Sequence, residues 1–126
     1  MIKNFLIMIF SLTPLITDAA EYRCGWLDNP SPGNYWLTDR DGKWVIAEQG
    51  GKRAKNSELL LPSDESEYVN MNYGYGYSCS CISAETNKEN HTVNIIHSYK
   101  QLPLNRCNTD KSLESRDLDF NQDNQG

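Results

Sequence analysis

The sequence predicts an all-β protein: a small antiparallel sheet, barrel or sandwich of five to six short strands, stapled by disulfides. Three observations predict it. Short β-favouring runs alternate with turns rich in Gly, Pro and Asn along most of the 126 residues. No apolar pattern at helical spacing lasts longer than about two turns. Four cysteines, Cys24, Cys79, Cys81 and Cys107, follow an N-terminal segment with the character of an export signal, and an even count in that context implies a disulfide framework.

The N-terminal segment comes first. Lys3 precedes the apolar run Phe5 to Ile16, and the small residues Ala19 and Ala20 follow. This is the charged, apolar and small-residue order of a secretory signal peptide, assigned to residues 1–19 with cleavage after Ala19. The run is too short for the roughly 20 residues that cross a bilayer. The expected location is therefore secreted or periplasmic, with no membrane attachment once the signal is cleaved. Residues 20–107 then form a single β domain, and residues 108–126 a polar, flexible tail. The net charge of −5 is unchanged by cleavage, because one cation (Lys3) and one anion (Asp18) leave together. An acidic chain with no basic run has no footprint for nucleic acid or for an anionic membrane.

Within the domain, Asn29 to Asn34 (NPSPGN) predicts a rigid loop. Tyr35 to Thr38 and Lys43 to Ala47 are β-favouring and flank Asp41-Gly42, a strong hairpin signal. Gly50-Gly51 ends the second of these strands. Lys52 to Glu67 is expected to be an exposed loop with Leu59 to Leu61 docked on the core. Tyr68 to Tyr73 is a candidate strand, and Gly74 to Gly76 a turn or bulge. Tyr77 to Ala84 alternates strictly, with Tyr77, Cys79 and Cys81 on one face and Ser78, Ser80, Ile82 and Ala84 on the other. A polar turn covers Glu85 to Asn90. Thr92 to Tyr99 places Val93, Ile95, His97 and Tyr99 on one face, and a short helix after Cys107 is expected.

Cys79 and Cys81 lie two apart on one strand, too close for an unstrained mutual bridge. Each is expected to reach a distant partner, Cys24 or Cys107, with the assignment open.

The segments RCGWLDNPSPGNYWLTDRDGKWVIAEQGG, YGYGYSCSC and LPLNRC, from Arg23 to Cys107, resemble the bacterial domain of unknown function family numbered 4087. The resemblance implies a small exported protein of one domain, mostly from Gram-negative bacteria. It implies no activity, ligand or catalytic residue.

Two functional readings follow from the residues. The chain is dense in aromatics, and adjacent residues on a strand point to opposite faces, so some rings are expected to be exposed. Trp26, Tyr35, Trp36, Tyr73, Tyr75 and Tyr77 are the candidate ligand-binding residues. They suit a non-catalytic binding or inhibitor module whose partner is a protein or glycan of the cell envelope. The alternative is a copper- or zinc-handling protein that uses Cys79 and Cys81 as thiolates. The C-x-C spacing is not that of a structural zinc site, so no metal or other cofactor is expected. His97 is expected to be packed and hydrogen-bonded, and His91 to be exposed in a turn. No nucleophile elbow, zinc-hydrolase helix or phosphate loop is present, and no catalytic residue is assigned.

Overall fold

Six strands form one sheet in the computed structural model: β1 (Glu21–Ser31), β2 (Asn34–Asp39), β3 (Gly42–Ala47), β4 (Tyr68–Asn72), β5 (Tyr75–Asn87) and β6 (Thr92–Leu102). The structure describes residues 4, 6–9 and 19–118. The expected signal peptide and the end of the tail otherwise lie outside the described residues. The sheet order is β1-β2-β3-β6-β5-β4, and β1 also pairs with β5. The pairings therefore run round a ring, β1-β2-β3-β6-β5, with β4 appended to β5. Between β3 and β6 the ladder reduces to one parallel pair, Val45 with Thr92, so the rolled sheet falls short of a full barrel. All other pairs of strands are antiparallel.

Rolling the sheet sorts side chains into two cores. Inside lie Leu27, Leu37, Trp44, Ile46, Ile82, Ala84, Val93 and Ile96, capped by Ala54 and Leu60 from the long loop. Outside, on the face of β1, β4 and β5, lie Trp26, Val69, Tyr77 and Cys79, with Leu104 and Cys107 from the short helix α1 (Leu104–Asn108). The alternation expected along β5 is present: Tyr77 and Cys79 belong to the outer core, and Ile82 and Ala84 to the inner one. Both cysteine pairs are long-range, Cys24–Cys81 and Cys79–Cys107. The first joins residues directly opposed on β1 and β5. The second ties α1 to the same strand.

Several expectations are corrected. The segment from Asn29 to Asn34 is mostly strand: β1 runs through Pro30 to Ser31, and only Pro32-Gly33 turn. The register shifts between Asp28 and Ser31, and a bulge takes the proline, which has no N–H to donate, out of the ladder. The turn expected over Gly74 to Gly76 is confined to Tyr73-Gly74, and Gly76 lies inside β5. β5 continues through Glu85 to Asn87, so the expected polar turn shrinks. Of Leu59 to Leu61 only Leu60 is buried.

His97 and Ile95 do not share the core face of Val93. The β5–β6 register skips Asn94 and His97. Each skip flips the alternation, so Val93 and Ile96 are buried while the His97 side chain is 45% exposed beside Glu85. The expected helix lies over Cys107 rather than after it. The tail from Asn108, expected to be flexible, is packed on the outer core as far as Leu118, with Leu113 and Leu118 against it.

Candidate functional site

The six candidate aromatics separate into three places. Trp26 and Tyr77 are buried in the outer core, meeting edge to face with centroids 5.4 Å apart. They cannot offer bare rings, because the C-terminal segment covers them. Trp36 is half-buried beneath Lys43, whose Nζ lies 3.8 Å from the ring centroid. Tyr35, Tyr73 and Tyr75 are placed at one end of the rolled sheet.

That end is built by the β4–β5 hairpin and the loop before β4. Tyr73 has a left-handed backbone, φ 51°, and is 94% exposed. Two hydrogen bonds hold the tip: Gly74 N–H donates to Asn70 Oδ1 at 3.0 Å, and the Tyr68 hydroxyl donates to the Gly74 carbonyl at 2.9 Å. Beside the tip is a cleft of about 140 Å³. Leu27, Leu60, Leu61 and Pro62 supply its apolar lining, and Asn29, Tyr35, Tyr68 and Ser78 its polar groups, with Gly74 at the rim. Leu61 and Met71 are 68% and 48% exposed, so apolar surface continues outside the cleft. The Ser80 hydroxyl is buried with no hydrogen-bond partner among the described residues.

Burial raises Tyr35, Tyr68, Tyr77 and Tyr99. Tyr68 is pushed up to about 12 by burial, reinforced by Tyr35, Asp28 and Tyr99. Burial also raises Tyr35, against Arg53, and Tyr99, against a hydrogen bond with Ser78. Tyr77 is raised by burial, with Arg116 opposing. In each case the folded value exceeds the ordinary value near 10. Above pH 10 the unfolded chain therefore loses phenolic protons that the folded chain keeps, and stability falls as pH rises. The melting temperature is expected to be insensitive to these groups below pH 10 and to drop between pH 10 and about 12. Tyr68→Phe should make that drop shallower; melting curves over this range check it, and an unchanged slope would remove Tyr68 from the account.

The opposite end of β1 carries an ionic cap. Arg23 donates to Asp39 at 2.9 Å and to Asp41 at 3.1 Å, and pairs with Glu21. Burial pulls the Arg23 guanidinium down, but its hydrogen bonds to Asp39, Glu21 and Asp41 outweigh this and hold it above its ordinary value. Arg23 lies 3.9 Å from the Trp44 ring centroid, His91 stacks on Trp44 at 4.2 Å, and the indole N–H donates to Asp39. His91, expected in an exposed turn, is thus half-covered and has φ 51°. The stack closes the sheet end, where Arg23 serves three carboxylates and Lys88 also pairs with Glu21.

The four cysteines are all disulfide-bonded, so Cys79 and Cys81 hold no thiolate for a metal. Among the described residues no group of His, Cys, Asp and Glu has the arrangement of a metal site. His97 and Glu85 are 3.4 Å apart on the open outer surface of β5 and β6.

A family model described as "Protein of unknown function (DUF4087)" matches residues 18–114. The chain belongs to the DUF4087 family. No curated protein and no solved structure matches it. In this DUF4087 chain the long motif from Arg23 has structural work at nearly every polar or special position. Arg23, Asp39 and Asp41 form the ionic cap, and Cys24 the bridge to β5. A Cβ on Gly25 would sit 2.0 Å from the Thr38 carbonyl oxygen. Trp26 and Trp44 fill the two cores. The motif therefore builds the DUF4087 sheet, and Leu27, Asn29 and Tyr35 are its residues that line the cleft. Sequence reasoning missed Tyr68, Leu60 and Leu61 as site residues; Leu60 and Leu61 approach Tyr35 through the loop's path across the sheet end, and Tyr68 through the start of β4.

Proposed function

We propose that this DUF4087 protein is an exported, non-catalytic binding module that contacts a protein of the cell envelope through the β4–β5 tip and the adjoining cleft. Tyr73 carries the reading. A left-handed backbone costs a residue with a side chain about 1 kcal/mol or more. At 94% exposure its ring returns almost nothing to the fold. A strained, projecting aromatic beside a tyrosine-lined cleft is the pattern of a contact anchor. The apolar neighbours Leu61 and Met71 favour a protein over a glycan, whose hydroxyls require polar edges. Two disulfides fit an oxidising compartment, and among the described residues no helix is long and apolar enough to cross a membrane.

The expected consequence is a separation of binding from stability. Tyr73→Gly removes the ring and the strain together, so the melting temperature should hold or rise. Affinity for the envelope partner should fall by about 30-fold, the loss of about 2 kcal/mol typical of an aromatic anchor. Capture from envelope fractions, with and without prior protease treatment, checks this. Capture that survives protease would assign a glycan instead, and an unchanged profile with the glycine variant would overturn the proposal.

A further inference from the structure

We propose that the outer face of β1 and β5 is a groove for an extended, arginine-bearing peptide, and that residues 113–118 of this chain occupy it in place of a partner. The occupying segment is neither helix nor strand. Side chains of the sheet hold it through its main chain. The Trp26 indole N–H donates to the Glu114 carbonyl at 2.8 Å, and the Tyr77 hydroxyl donates to the Asp117 carbonyl at 3.1 Å. Such contacts accept any sequence.

Selectivity resides in one slot. Arg116 donates twice to Asp28, at 2.6 and 3.1 Å, and its guanidinium lies 4.9 Å from the Trp26 ring centroid and 4.5 Å from that of Tyr77. A carboxylate flanked by two rings suits the planar, delocalised cation of arginine better than the compact ammonium of lysine. Leu113 and Leu118 pack on the apolar surface to either side. The slot therefore reads Leu-x-x-Arg-x-Leu in an extended chain.

The boundary of the family match falls within the occupant, after Leu113 and Glu114 and before its arginine. Trp26, Asp28 and Tyr77 lie within the matched residues 18–114, whereas Arg116 and Leu118 lie beyond them. The groove belongs to the shared domain, and the arginine that fills it is supplied from outside that match. A tethered occupant is present at high effective concentration. It lowers the apparent affinity for a peptide in trans by the fraction of time the groove is open.

The test uses the full chain and a labelled peptide with the sequence of residues 112–118. Arg116→Ala loosens the tethered segment, and this variant is expected to bind the peptide at least about tenfold more tightly than the wild type. The Trp26 indole N–H resonance should shift with the variant and return on peptide addition. Adding Asp28→Asn to Arg116→Ala, or replacing the peptide's arginine by alanine, should abolish binding. If Arg116→Ala melts too low to assay, Leu118→Ala repeats the experiment. A folded variant that gains no affinity, or one that binds the alanine peptide equally well, overturns the proposal.

Discussion

Replacing Cys79 and Cys107 together by alanine is expected to cost more stability than replacing Cys24 and Cys81, although the second pair closes the longer loop. The sequence separations are 28 and 57 residues. Loop-closure entropy alone gives about 3.5 kcal/mol for the shorter and about 4 kcal/mol for the longer. Packing reverses the order. Cys79 and Cys107 are both buried, and their bridge fastens α1 and the segment after it to the outer core. Removing them adds a cavity term of about 1 kcal/mol or more. Cys81 is buried but Cys24 is exposed, and β1 and β5 stay paired in register from Glu21 to Asn29 without the bond. Urea unfolding of the two double variants measures the difference, and a larger loss from Cys24→Ala with Cys81→Ala would refute the packing argument. In protein recovered from the envelope, alkylation should add no mass before reduction and four adducts after it, on a chain beginning near Ala20.

The second large effect is expected at Gly76. A Cβ there would stand 1.8 Å from the Val69 carbonyl oxygen, a backbone atom that cannot move without carrying β4 away from β5. Gly76→Ala should destabilise by about 3 kcal/mol, the upper range for forced overpacking. It should also disorder the hairpin that presents Tyr73. Gly25→Ala meets the Thr38 carbonyl in the same way and should separate β1 from β2. Gly50 is the control: it has φ +74° but open space around it, so alanine costs only the left-handed backbone term of about 1 kcal/mol. Melting temperatures of the three variants check the order, and equal losses would show that the close approaches are relieved cheaply.

Much of the fold was legible because it rests on local chemistry. Asp41-Gly42 marks the β2–β3 hairpin, and the alternation from Tyr77 to Ala84 correctly divides β5 between two faces. The cysteine pattern implies two long-range bridges with two possible assignments, and the structure has Cys24–Cys81 and Cys79–Cys107. The errors have a common cause. Proline in Asn29 to Asn34 argued for a loop, but a bulge accommodates it. Strict alternation places His97 on a core face, and two skipped residues in β6 turn it outward. Neither bulge has a sequence signature of its own, because the partner strand determines it. The polar tail appeared free because Trp26, Asp28 and Tyr77, which hold it, lie far away in sequence. The candidate site was legible in part. Tyr35, Tyr73 and Tyr75 reach one end of the sheet, while the density of aromatics could not show that Trp26 and Tyr77 would be covered by the chain itself.

The central claim is that the β4–β5 tip is a contact surface, and site-specific photocrosslinking in the cell envelope tests it most directly. A benzophenone side chain placed at Tyr73 is expected to give one discrete adduct with an envelope protein. The same group placed at Lys100, an exposed position on β6, is expected to give none. No adduct from position 73, or the same set of adducts from both positions, would contradict the account.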